Sequence, residues 1–265
     1  MRIKAVVFDW AGTVIDHGSL APVAAFKSLF EEIGLELTYD EIRDPMGMEK
    51  REHIRRLLAL PRIQARWQKR SGSLPDETLV DQLYNRFVDI QIAQINLHSS
   101  LIPGAREVAL FLNQEHIRFG TTTGYSRAMI GTMIECAREQ GFAPECGVAG
   151  DEVTPRPSAA GVLRNLLHLD VPAVAQAVKV DDTEPGIREG LNAGCWTVGV
   201  LVTGNLVGLG WEDWQRLGPE QRETQRQFAH ERASCWGAHY LVDSVACLPE
   251  VLVDINLRIE AGELP

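Results

Sequence analysis

The stretch Ala5-Val6-Val7-Phe8-Asp9-Trp10-Ala11-Gly12-Thr13 constrains the fold more than any other part of the chain. A buried parallel strand reads as a short continuous apolar run, and Ala5 to Phe8 is such a run. It stops on a carboxylate, Asp9. Gly12 then permits a sharp turn before the hydroxyl of Thr13 and a second acid at Asp16. In open α/β sheets ligands sit just outside the carboxyl ends of the strands. Asp9 is therefore expected at the mouth of a crevice, where backbone N–H groups of the following loop can hold an anion. Taken alone, a strand-end Asp is better explained as a turn cap, so the rest of the chain has to decide.

Beyond Asp16 the chain turns to helical spacing. Ala21 to Gly34 carries apolar residues at Val23, Phe26, Leu29, Phe30 and Ile33, with Gly34 just past the end. Tyr39 to Arg43 starts a second helix, broken at Pro45. The turn Pro45-Met46-Gly47 leads into a third over residues 49–58, and two more come after it over 63–68 and 76–95. No second strand is expected before residue 117. From there strands alternate with helices: Ile117 to Gly124, a helix from a Ser126 cap to Gln140, a helix over 158–167, the strand Ala175 to Val180, a helix over 187–193 and the strand Trp196 to Val202. Such alternation implies a parallel sheet. Residues 204–234 read as an appended loop-and-helix segment, before a last strand over 239–242 and a last helix over 248–257.

Three strands end in useful groups: Asp9, Thr123 and the pair Asp181/Asp182. In a parallel sheet these ends share one rim. Converging carboxylates are costly unless neutralised, and oxygen-only ligands suit Mg²⁺. A Thr hydroxyl and a loop arginine, Arg156, are natural partners of phosphoryl oxygens, and an Asp can act as nucleophile through an aspartyl-phosphate. The net charge of −10 argues against a nucleic-acid partner, so an anionic substrate needs local cations or a metal. No run approaches a membrane span, and Asp9 interrupts the N-terminal apolar run too early for a signal peptide. Five scattered cysteines (136, 146, 195, 235, 247) suit a reduced cytoplasmic interior.

The segments Phe8-Asp9-Trp10-Ala11-Gly12-Thr13, Thr123-Gly124-Tyr125, Arg156-Pro157 and Asp182-Thr183 resemble, in order and spacing, those of the haloacid dehalogenase superfamily. More narrowly, and over essentially the whole length, the chain is similar to the phosphonatase family, including Pro45-Met46-Gly47-Met48-Glu49-Lys50-Arg51-Glu52-His53 and residues 187–198. The resemblance implies an α/β fold: a Rossmann-like parallel-sheet core (residues 1–16 and 100–265) with a helical cap (17–99) inserted after the first strand. It further implies hydrolysis of a phosphonate P–C bond in phosphonoacetaldehyde, with Asp9 as nucleophile, Lys50 as Schiff-base lysine and His53 as proton carrier. Mg²⁺ is implied at Asp9, the Ala11 carbonyl and Asp182. Met46, Thr123, Gly124, Tyr125 and Arg156 are implied as substrate contacts, and a homodimer as the assembly.

Ala11 supports that reading chemically. Related phosphatases carry an Asp two positions after the nucleophile, which protonates a departing alkoxide. A phosphonate leaves as carbon, so its cleavage needs an electron sink, and a lysine imine supplies one. By composition alone Lys50 sits in what reads as a solvated, salt-bridged helix face; His53 lies one turn along the same face. A working Lys50 must be neutral part of the time, which requires burial or nearby positive charge. Two departures from the pattern stand out: Glu184-Pro185-Gly186 where the superfamily has a further acid, with Asp181 or water as substitutes, and a loop one residue shorter around Thr154-Pro155-Arg156. The alternatives are a phosphatase of a small phosphate ester, against which Ala11 counts, and a catalytically silent binding module, against which the intact charges count. A dinucleotide-binding oxidoreductase is disfavoured because no G-x-G-x-x-G follows the first strand.

Overall fold

The apolar run becomes the central strand of a sheet. β1 (Ala5–Phe8) is buried at all four positions and pairs in parallel on both edges, with Phe8 level with Thr121 on one side and Val180 on the other. The computed structural model describes residues 2–265, the side chain of Thr132 excepted. After β1 come five helices, α1 (Leu20–Glu32), α2 (Tyr39–Arg43), α3 (Lys50–Leu58), α4 (Pro61–Ser71) and α5 (Glu77–Leu97). The alternating part comes next: α6 (Ala105–Gln114), β2 (Arg118–Thr122), α7 (Arg127–Glu139), β3 (Cys146–Val148), α8 (Ala160–His168), β4 (Ala177–Asp181), α9 (Glu184–Ala193), β5 (Trp196–Val200), α10 (Trp211–Arg216), α11 (Pro219–Ala233), β6 (Tyr240–Val242) and α12 (Leu248–Glu260). The six strands, all parallel, run β3-β2-β1-β4-β5-β6. This is the α/β architecture expected from the sequence.

Local chemistry sets the helix ends. The Thr38 hydroxyl and Glu41 carboxylate form a capping box at α2, Asp76 accepts from the Leu79 N–H at the start of α5, and Thr183 caps α9 with Pro185 in its first turn. Ser19 stands at the N-cap of α1 without a side-chain bond. The first-turn donors Leu20 N and Ala21 N instead go to the Asp16 carboxylate, both at 2.9 Å. Ser126 likewise stands before α7 without capping it; the Arg127 N–H is taken by Asp151 at 2.9 Å. The sequence-based Ser cap is therefore corrected: an acid from the loop after β3 does that work across space.

β3 was not expected. Its three residues include one glycine and no apolar run, so no periodicity marks it; it forms because the backbone of β2 offers an open edge at Gly120–Thr122.

One face of the sheet packs Phe8, Phe119, Phe142 and Trp10 in edge-on and tilted contacts of 5.2 to 6.2 Å. The other face carries Ala5 and Val7 against Val162 and Leu166. In the helical stretch before β2, Phe26 of α1 lies against Phe87 of α5 at 4.4 Å, the apolar faces of both helices turned inward. Among the described residues no helix is long and apolar enough to cross a membrane.

Candidate active site

Register brings the site together. One residue beyond Phe8, Asp9 is level with Thr122 and Asp181, because Phe8 is level with Thr121 and Val180; the Asp9 N–H donates to Val180 O at 2.9 Å. Past these strand ends a small cavity is lined from the sheet side by Asp9, Ala11, Thr123, Gly124, Tyr125, Arg156, Asp182 and Thr183. Ser19, Pro22, Met46, Gly47 and Lys50 line it from the helices before β2. Of the catalytic, substrate-contact and metal residues that the resemblance implies, all but His53 line this cavity; Asp181, Thr13 and Asp16 do not.

Lys50 is 3% exposed. It opens α3, whose N-terminus is capped by the Glu49 carboxylate, and its Nζ lies 4.9 Å from the Tyr125 ring centroid, 5.7 Å from that of Phe26 and 3.8 Å from Met46 Sδ. Burial pulls its pKa down to about 8, against the opposing pull of the Asp9 charge. The solvated-face reading thus fails for this residue, although it holds for its neighbours Arg51 and Arg55, which pair at the surface with Glu77.

His53 is completely buried behind Lys50, its ring 3.9 Å from that of Phe26. Neither ring nitrogen has a well-formed hydrogen bond among the described residues, the Ile42 backbone being the polar group that acts on the ring. Burial, with Lys50 adding to it, holds the imidazole well below its usual pKa.

The acids are poised for a cation. Asp9, Asp181 and Asp182 each bring an oxygen within 4.8 Å of the others. Burial, then the Asp181 charge, raises Asp9 to about 6; burial, then Asp9 and Asp181, pushes Asp182 well above the carboxylate range. Asp181 differs. Burial opposes its charge, but Lys179 Nζ at 2.9 Å and Arg156 at 3.3 Å outweigh that and keep its carboxyl below the usual range. A set of hard oxygen donors that outnumbers the cations beside it fits a hard divalent ion such as Mg²⁺. Asp9 and Asp182 could hold such an ion, whereas Asp181 is engaged by both Lys179 and Arg156.

Asp181 also accounts for Gly186. A Cβ at 186 would fall inside the Asp181 carboxyl group, so the acid that ends β4 takes up the space a side chain at 186 would need. Gly186→Ala is expected to displace Asp181 and weaken Mg²⁺ binding at least tenfold in a calorimetric titration; unchanged binding would break this link.

Despite the shorter loop, Arg156 reaches the centre. Its Nη2 lies 2.9 Å from Asp9 Oδ1 and donates to Thr122 Oγ1 at 2.9 Å, while Nε donates to Glu189 Oε2 at 2.9 Å. Glu189, Lys179 and Thr122 were not singled out from the sequence. Lys179 Nζ donates to Thr122 Oγ1 at 2.7 Å, and Thr122 Oγ1 donates to Glu189 Oε2 at 2.9 Å. One signal was available: a lysine inside the apolar run of β4, wholly buried, needs a partner acid.

The chain matches the haloacid dehalogenase-like hydrolases over residues 3–194. It is 46% identical to a phosphonoacetaldehyde hydrolase of Paraburkholderia phytofirmans over all of this chain and 99% of that protein, and 42% identical to that of Pseudomonas putida over all of this chain and 96% of the relative. The chain belongs to the phosphonoacetaldehyde hydrolase family. Among solved structures, the phosphonoacetaldehyde hydrolase-like protein of Oleispira antarctica superposes on this member of the family with a TM-score of 0.98 at 45% identity, covering 100% of this chain and 96% of that one. A β-phosphoglucomutase of Clostridium difficile shares the fold at 16% identity (TM-score 0.69, 97% of this chain and 99% of that one).

Proposed function

We propose that this chain hydrolyses the P–C bond of phosphonoacetaldehyde to acetaldehyde and phosphate, using Lys50 as imine-forming amine and Asp9 as phosphoryl acceptor. The observation that carries the reading is a buried lysine facing a strand-end aspartate across one small cavity, with Ala11 where a leaving-group acid would stand. Residues 1–16 and 100–265 are the core in this reading, and 17–99 the cap.

The neutral Lys50 amine adds to the aldehyde carbon and expels water, leaving an imine that is then protonated. Asp9 attacks phosphorus; the P–C electron pair passes into the iminium, giving an enamine on Lys50 and an acyl phosphate on Asp9. Protonation of the enamine carbon and hydrolysis release acetaldehyde, and water cleaves the acyl phosphate. Bound Mg²⁺ supplies positive charge for the phosphoryl oxygens. Arg156, the Thr123 hydroxyl and the loop Gly124–Tyr125 orient the phosphonate, and Met46 closes the aldehyde side. His53, one turn from Lys50 and with neither ring nitrogen in a well-formed hydrogen bond, is assigned the proton transfers of imine formation.

The test is acetaldehyde release from phosphonoacetaldehyde with Mg²⁺, with borohydride added to a parallel sample. Release with borohydride inactivation only in the presence of substrate, and a label mapped to Lys50, is the expected outcome. Turnover of phosphate monoesters with neither release nor trapping would replace this reading by the ester phosphatase. Chelation of the metal is expected to abolish release and added Mg²⁺ to restore it; full activity after chelation would remove the metal from the reading.

Lys50 reacts only as the free amine. With its pKa near 8, only about one-tenth is neutral at pH 7, so kcat/KM should rise about tenfold per unit between about pH 6 and 8 and level off above it. A profile flat from pH 6 to 9 would contradict that assignment.

The homodimer remains part of the proposal and is checked by sedimentation. A reduced cytoplasmic setting is proposed as well, supported by five free cysteines.

A further inference from the structure

The reacting groups lie behind closed walls. Lys50 is 3% exposed and Asp9 6%, so substrate reaches them only when the helices around Lys50 lift from the sheet rim, and each closure has to rebuild the site. Two of the contacts that hold those helices down are simple close approaches: Gly47 abuts the Thr183 side chain, and Gly124 abuts the Met48 carbonyl.

A third contact is polar and more specific. Arg43, the last residue of α2, is half-buried. Its Nη1 donates to Gly18 O at 3.0 Å, Asn205 O at 3.2 Å and Asn205 Oδ1 at 3.0 Å, and its Nη2 donates to Gly208 O at 3.0 Å. Asn205 Nδ2 donates back to Arg43 O at 3.1 Å. All these acceptors are neutral oxygens, an arrangement that uses the rigid donor fork of arginine, while its charge also acts on Asp16 and Asp182. Gly208, at φ +67°, leaves the guanidinium room that a Cβ would occupy.

Asn205 faces two ways. While its side chain and carbonyl hold Arg43, its backbone N–H donates to Asp182 Oδ2 at 2.7 Å. The other Asp182 oxygen has only the weaker bond from Thr13 Oγ1 at 3.4 Å. The loop carrying Asn205 is also tied to the hinge between β1 and α1: the Gly18 N–H donates to Thr203 O at 2.7 Å, and His17 Nδ1 lies 2.7 Å from Leu209 O. A single residue thus joins the helices that must move to a carboxylate that must be in place for the metal.

We propose that Arg43 and Asn205 form a latch through which docking of the helices over the cavity positions Asp182 for its metal ion. They are positioning residues, and the proposal rests on the Mg²⁺ reading above. The loop after β5 thereby reports closure to the metal site.

The test is calorimetric titration of Mg²⁺, with and without inorganic phosphate as the probe that fills the cavity, on the full chain and on Arg43→Lys, Asn205→Ala and the double variant. Asn205→Ala keeps the backbone N–H that reaches Asp182, so its effect on Mg²⁺ has to pass through Arg43. Each single variant should bind Mg²⁺ at least tenfold more weakly in the presence of phosphate. The double variant should be no weaker than the worse single one, because a latch broken once is fully broken. Amide exchange over residues 203–208 and 38–48 should accelerate together. Wild-type Mg²⁺ affinity in Asn205→Ala, or losses that add in the double variant, would overturn the latch; if Arg43→Lys does not fold, Asn205→Ala alone decides. Arg86→Ala, which removes an exposed pair with Glu32, serves as the control and should change neither readout. A wild-type chain that binds no Mg²⁺ would fail the metal reading itself, an outcome distinct from a latch that does not couple.

Discussion

Replacing Lys50 with Arg should lower acetaldehyde release by about 10⁴-fold or more, the scale on which enzymes lose activity when the covalent group is removed. The substitution keeps a positive charge between the Tyr125 and Phe26 rings, where the lysine Nζ now lies at 4.9 and 5.7 Å. It also keeps the helix propensity at the start of α3. What it removes is the ability to deprotonate: a guanidinium stays charged at every usable pH and forms no imine. Borohydride should then trap nothing, with or without substrate. Retention of more than about a tenth of wild-type turnover would show that P–C cleavage proceeds without an amine at this position, and the carbanion would need another sink.

Asp9→Asn should be equally damaging, by about 10⁴-fold or more, yet leave a different signature. The amide is a poor nucleophile toward phosphorus, but Lys50 keeps its amine and, without the Asp9 charge that holds its pKa up, is neutral more of the time. Phosphonoacetaldehyde should still be captured by borohydride on Lys50 while neither acetaldehyde nor phosphate appears. Loss of trapping in this variant would mean that imine formation needs the Asp9 carboxylate itself, since removing its charge only favours the neutral Lys50 amine. Continued release of phosphate would take the attack on phosphorus away from Asp9. Together the two variants separate the halves of the reaction.

Much of this is legible in the sequence. The apolar run closed by Asp9, the runs closed by Thr123 and by Asp181/Asp182, and the helical spacing between residues 20 and 97 are local signals, carried by neighbours along the chain. Parallel pairing then converts strand ends into a common rim without further information. Lys50 is a different matter. Its own surroundings, Arg51, Glu52, Arg55 and Arg56, describe a solvated helix face, and only the residues it turns toward, Met46, Tyr125 and Phe26, make it a buried amine. His53 shows the same limit from the other side: sharing a helix face with Lys50 puts it next to the cavity but not in its wall.

By itself, then, the sequence determined the α/β alternation, the strand-end acids and the absence of a leaving-group acid at Ala11, because each is written in residue type and spacing. Tertiary structure alone decided the rest. It paired Lys179 and Glu189 with Arg156 and Asp181, placed the Asp181 carboxyl where a side chain at 186 would stand, paired β3 with an open edge, and joined Arg43 to Asp182 through Asn205. The physical reason is common to all four. Each is a complementarity of charge, volume or hydrogen bonding between segments distant in the chain, and such complementarity has no local period; it exists only once the backbone has brought the partners within bonding distance.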